Sequence, residues 1–486
     1  MIARMFLRAG ALSLALLLAS RLLGVVRESA QAAAFGSGGL ADVAVLVLTL
    51  PDWLASVVAS GALAYVLLPA WGGQPPQQVA ALQRRVATWA LVLGIVLALL
   101  LALARDAVLA ALGAGIPSHL RGIAAGGLVW SAVAIPAALL AALWATRLQH
   151  ERDFVGMYGA NLVVNGLLVA TILVAGAHAG APVTVLGIGL VIAMAGRLRW
   201  LGRRLPAVPS GAAARIDWPT LPVWAWAWLS AGLPLALPFV ARSVASQAGE
   251  GALAVFSYAW KLVELPLILA IQLVASLAFP AITRALGEGG TDGAPVRRAF
   301  ALAWTLACAA AAGLLLAGPA LARLLFGWGR MTPEALEQVA RWGMAGAWGL
   351  LPQALTAVAL TVLATRRRMA PAVVGYGLAL LAVLGASAAG WNDGLRLMHL
   401  LNACQALVAA VCLLAIGPEC RRWLPWETLV WGGAGLTLAA GVAALLGHGL
   451  PSPGWAAQLA AGAVGAALVL LLAAWRSGDV REALRR

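Results

Sequence analysis

Residues 20–51 read SRLLGVVRESAQAAAFGSGGLADVAVLVLTLP, two apolar stretches that carry Arg21, Arg27, Glu28 and Asp42. The first reaches membrane length only by enclosing its charges. Ahead of it, Arg4 and Arg8 precede a short apolar core, the pattern of a secretory leader. Apolar character nevertheless resumes at Leu22 and continues to Val26. The segment therefore reads as a first membrane helix with a basic flank.

The same texture runs to the other end of the chain. Of 486 residues, 63% are hydrophobic and 10% charged, against roughly 25% charged in a soluble domain. The mean hydropathy is +0.92. Runs of about twenty apolar residues, each enough to cross a hydrocarbon layer of about 30 Å as a helix, recur throughout. They lack the period-two alternation of barrel strands, and in lipid only helices or closed barrels satisfy every backbone group. The fold class is an all-α polytopic membrane protein. Fourteen spans are expected, centred near residues 18, 56, 99, 133, 168, 190, 232, 268, 308, 353, 380, 407, 437 and 465.

The basic residues orient these spans, because Lys and Arg in short loops stay on the cytoplasmic side. With the N-terminus inside, 23 of the 33 basic residues fall in cytoplasmic segments, including Arg84 and Arg85, Arg197 to Arg215, Arg366 to Arg368 and the C-terminal tail. Six lie in or beside the opposite loops. The expectation is a multi-pass membrane protein with both termini cytoplasmic. The +15 charge is thereby topological, and no soluble segment is long enough to offer nucleic acid a basic face.

Residues 197–220 form the natural midpoint linker. The expected organisation is an N-lobe of six spans plus linker over 1–217, a C-lobe of six spans over 218–422, and two further spans with a basic tail over 423–486. A faint repeat agrees: GEGALAVFSYAWKLVELP (249–266) echoes GSGGLADVAVLVLTLP (36–51), and two related lobes are a common transporter plan.

Four cations remain inside apolar spans: Arg21, Arg27, Arg242 and Lys261. Each costs about 2.5 to 3.5 kcal/mol at a helix centre, so they face something other than lipid. Two readings stay open: pairing with Glu28 or Glu264, or the wall of an aqueous cavity that accepts an anion. Phosphate suits arginine forks best. Arg21 and Arg27 are about 120° apart on a regular helix, and Gly24 midway tolerates a bend that would let them converge. Gly38, Gly39 and Pro51 are further points where the backbone is expected to flex or break.

Enzyme signatures are missing. The five histidines are scattered without nearby carboxylate pairs, the four cysteines lack ligand or disulfide spacing, and no nucleotide-binding motif appears. No metal, no cofactor and no covalent catalysis are expected. The 21 tryptophans, many near span ends, suit interfacial belts.

Taken together, the 20–51 stretch and ASGALAYVLLPA (59–70) resemble the opening of the MurJ/MviN-type lipid II flippases, within the multidrug/oligosaccharidyl-lipid/polysaccharide exporter superfamily. NLVVNGL (161–167), YAWKLVELP (258–266), RLLFGWGRMTPEALEQVA (323–340) and LATRRRMAP (363–371) resemble later family segments in the same order. The resemblance implies a flippase that moves undecaprenyl-pyrophosphate-linked disaccharide-pentapeptide to the outer leaflet for cell-wall synthesis. It implies alternating access by two lobes, a tail groove on spans 13 and 14, and a coupling ion or the membrane potential as drive. Arg21, Arg27, Asp42 and Lys261 take the places of family cavity residues, with Arg242 and Glu28 beside them.

The chain also departs from the family. Where the family reads LPN, two residues and an arginine pair before AEGA, this chain has LPDWLASVVASGA, with Ala55 and Ser56 in place of the arginines and Ser60 in place of the glutamate. Trp260 stands where an acid often accompanies the eighth-span cation. A flippase for another polyprenyl-linked oligosaccharide is the alternative, followed by an ion-coupled drug antiporter of the same superfamily.

Overall fold

The computed structural model describes residues 2–57, 61–177, 180–207, 218–287, 292–447 and 454–485. Ser60, Arg215, Arg486, His178 and His448 lie outside the described residues. Within them every regular element is helical.

The first half runs α1 (Ile2–Phe35), α2 (Gly39–Ala55), α3 (Gly61–Trp71), α4 (Pro76–Leu103), α5 (Arg105–Leu112), α6 (Ser118–His150), α7 (Phe154–Ala177), α8 (Pro182–Gly202) and α9 (Leu221–Ser246). The second runs α10 (Ala252–Pro266), α11 (Leu273–Leu286), α12 (Ala294–Phe326), α13 (Pro333–Gly346), α14 (Leu350–Thr365), α15 (Ala370–Ala388), α16 (Gly394–Ile416), α17 (Cys420–Trp423), α18 (Trp426–Gly447), α19 (Trp455–Arg476) and α20 (Gly478–Leu484). Proline opens α4, α8 and α13, where its missing N–H costs nothing. Thr332 and Asp393 cap α13 and α16, each accepting a backbone N–H of the first turn.

Twelve stretches among the described residues are long and apolar enough to cross a membrane. The protein is thus a multi-pass helical membrane protein. The other two expected positions, near 18 and 56, fall in α1 and in the α2/α3 pair. α1 runs through Arg21 without a break. α2 holds Pro51 in its interior, and Ser56 and Val57 adopt a wider π turn after it. Pro266 likewise ends α10 before a π segment over Leu267–Gln272. The repeated LP of the sequence therefore marks two interruptions of the same kind, a feature that often accompanies function.

The chain divides into two compact units: Met1–Phe239 with Ser246–Ala254 and Trp328–Met331, and Val240–Ala245 with Val255–Gly327 and Thr332–Arg486. In the first, α1 packs along α7 and α2 along α6, and Ser131 donates a 2.8 Å hydrogen bond to the Val47 carbonyl. In the second, α12 is the central post against which α13, α14, α18 and α19 pack. Its contact with α19 depends on small residues: a Cβ on Gly462 would come within 2.6 Å of the Ala317 Cβ.

Candidate functional site

Arg27 sits two turns before the end of α1, where its Nη2 donates to Glu28 Oε1 at 2.8 Å and its Nη1 lies 3.6 Å from Asp52 Oδ2. The Arg27 side chain is 15% exposed and that of Glu28 8%. Asp52 reaches this place because it follows Pro51 on α2, one turn before the π turn. Asp52 also acts electrostatically on Arg197 of α8, whose buried Nε has no hydrogen-bond acceptor among the described residues. Arg27 and two carboxylates, from α1 and α2, thus form an ion-paired group inside apolar spans, with Arg197 of α8 within electrostatic reach of Asp52.

An anion entering here competes with carboxylates that already pair with Arg27. A pyrophosphate diester offers four non-bridging oxygens, as many as Glu28 and Asp52 together, and arginine forks bind such oxygens in parallel pairs. The arrangement can therefore exchange one set of anionic partners for another. It holds the arginines in apolar surroundings at far lower cost than unpaired cations would incur.

Arg21 is exposed on α1, and Arg242 is half-buried on α9. α1 is continuous through Gly24, and a Cβ there would only reach 3.9 Å from Asn165 Nδ2. Gly24 was read as tolerating a bend that would let Arg21 and Arg27 converge; α1 is unbroken there, and Arg27 pairs with Glu28 and Asp52. Lys261 donates to Glu264 at 2.7 Å, one turn further along α10.

Asp42 stands apart from the Arg27 cluster, ten residues before Asp52 and so about 15 Å away along α2. It is fully buried, and its oxygens accept the N–H groups of Gly251 at 2.7 Å and Ala254 at 2.8 Å. Those donors open α10, where a carboxylate meets both unpaired N–H groups and the positive end of the helix dipole. Glu250 returns the arrangement, accepting the N–H of Gly39 at 2.8 Å. The start of α10 is capped by an acid on α2, and the start of α2 by an acid just ahead of α10. Gly39 is fixed as glycine by packing: a Cβ would come within 2.8 Å of both Pro117 and Leu120.

Asp52, Arg197 and Glu250 were not singled out from sequence. Arg197 counted as a linker residue because it opens the basic run that reaches Arg215, yet α8 continues to Gly202. The visible clue to Asp52 was its place directly after Pro51, and for Glu250 the position matching Ser37 in the repeat.

No curated protein matches the sequence. Among solved structures, the fold matches a lipid II flippase MurJ in an inward closed conformation with a TM-score of 0.78 at 13% identity, covering 98% of this chain and 100% of that one. An inward-facing multidrug resistance MATE family transporter of the MOP superfamily matches with a TM-score of 0.60 at 14% identity, over 86% and 96% of the two chains. A MOP superfamily transporter from Pyrococcus furiosus gives 0.57 at 15% identity, over 89% and 96%. The family described as lipid II flippase MurJ matches residues 31–389, which hold Asp42, Asp52, Arg197 and Glu250. By that match the chain belongs to the MurJ lipid II flippase family.

Proposed function

We propose that the protein carries lipid II, the undecaprenyl-pyrophosphate-linked peptidoglycan precursor, across the bacterial inner membrane by alternating access. What supports this most is the Arg27 cluster, cations held in apolar spans by carboxylates that an incoming pyrophosphate can replace. Arg21, exposed one and a half turns away, gathers the head group; Arg27 and Arg197 bind it; Glu28 and Asp52 are released and lose their partners. That exchange makes the loaded and empty sites differ in free energy, as a ligand-driven change requires. The Asp42 and Glu250 caps fix the start of α2 to residues 250–254 within the first unit. Inside-negative potential favours outward movement of negative charge by about 2.3 kcal/mol per charge per 100 mV.

A second reading is a related polyprenyl-linked oligosaccharide. It is favoured by Asp52, which places a carboxylate against Arg27, and by Ala55 and Ser56, which remove the family's arginine pair. Complementation separates the two. A host depleted of its own lipid II flippase should grow when this chain is expressed; failure to grow with normal membrane levels would overturn lipid II and leave the second reading.

A further inference from the structure

A cavity of about 430 Å³ opens in the first unit between α3, α4, α6 and the start of α9. Its size falls within the roughly 300–1,000 Å³ of small-molecule sites. Arg85 is its one charged lining residue, and four tryptophans join it: Trp89, Trp218, Trp224 and Trp228. The Arg85 guanidinium lies 4.9 Å over the Trp218 ring, and the indoles of 218, 224 and 228 follow one another at 6.2 and 6.1 Å. Beyond Arg85, Trp89 and Leu93 also line the cavity at successive helical turns, each about 6 Å further along α4. The site is therefore graded, cationic at one end and apolar along its length.

Two observations give it an occupant. Trp89 is 58% exposed and Trp228 39%, so the cavity opens sideways on a face that spans the membrane. Trp224 is 8% exposed, and its buried indole Nε1 has no acceptor among the described residues. An unpaired buried donor in a cavity with a cation at its mouth calls for an acceptor oxygen beside an anion. We propose that the cavity holds one acyl chain of an anionic membrane phospholipid, its phosphate at Arg85 and an ester oxygen at Trp224. Arg84, exposed beside Arg85, adds charge at the mouth, and indoles suit the boundary between head group and chain. This site shares no residue with the Arg27 cluster.

The test is photolabelling in nanodiscs of phosphatidylcholine and phosphatidylglycerol, with a trace of either lipid carrying a diazirine on one chain. Peptides holding Trp89 and Trp224 should take label from phosphatidylglycerol in preference to phosphatidylcholine. Arg85→Gln should lower that label about fivefold, the worth of one basic residue near an anionic surface. Arg85→Lys should retain most of it, and Trp224→Phe should lower it about twofold at unchanged yield of folded protein. Equal labelling by both lipids, or no response to Arg85→Gln, would overturn the proposal. So would the absence of label, or displacement of phosphatidylglycerol by equimolar undecaprenyl pyrophosphate, which would assign the cavity to the substrate's own tail.

Discussion

Asp42 and Glu250 exchange caps: the first accepts the N–H of Gly251 at the start of α10, and the second accepts the N–H of Gly39 at the start of α2. Hydrogen bonds to charged acceptors contribute about 1.5 to 3 kcal/mol each, and Asp42 receives two of them. Asp42→Asn keeps one acceptor oxygen but turns an amide N–H₂ toward a backbone donor. We expect it to abolish complementation while the protein remains inserted. Glu250→Gln, at the more open of the two caps, should retain partial function. A cysteine placed at Leu40 should gain reactivity toward a membrane-impermeant thiol reagent in Asp42→Asn; unchanged reactivity would mean that the cap holds no closure.

The Arg27 cluster predicts opposite effects from its two signs of charge. Arg27→Ala removes the fork that would receive pyrophosphate and should abolish transport. Asp52→Asn removes a competing carboxylate. Because the Arg27–Asp52 pair is partly exposed and 3.6 Å apart, its coupling is about 0.2 to 1 kcal/mol. Affinity for undecaprenyl pyrophosphate should then rise by about 1.4- to fivefold, read by titration in detergent. A fall on Asp52→Asn would show that Asp52 positions Arg27 and does not compete with the ligand.

Restoring the family's arginines should succeed at one place and fail at the other. Ala55 is 5% exposed, so Ala55→Arg forces a long charged side chain into a packed site and costs several kcal/mol. Ser56, on the π turn, is half-buried, which lets a long side chain reach out. Ser56→Arg should express normally and Ala55→Arg poorly, as measured by folded yield after extraction.

Span positions were legible because hydropathy reports on lipid, and lipid acts on every residue of a span alike. The pairing of Lys261 with Glu264 was legible as well, since residues three apart share a helix face. Asp42 was singled out from sequence, but its partners were not, because two backbone N–H groups more than two hundred positions away leave no mark in side-chain chemistry. Arg197 was lost for a different reason. Counting basic residues assigns them to loops, and only the helix itself shows that α8 runs five residues past Arg197.

A last prediction concerns the glycines that the Gly251 and Arg330 turns require. Gly251 has φ +80° and a Cβ there would overlap the Ser37 carbonyl. Gly36 has φ +69°, and its Cβ would lie 2.5 Å from the Arg330 carbonyl. Gly73 has φ +72° with nothing within 4 Å, so it isolates the backbone cost alone. Gly73→Ala should therefore lose only about 1 to 2 kcal/mol. Gly36→Ala and Gly251→Ala carry the same backbone cost plus a collision with main-chain atoms that cannot swing away. Arg330 donates its N–H to Ala33 and its guanidinium to the Gly176 carbonyl at the end of α7, so displacing it also uncaps that helix. Thermal unfolding in detergent should place both variants well below Gly73→Ala; equal midpoints for all three would mean that these close approaches relax without cost.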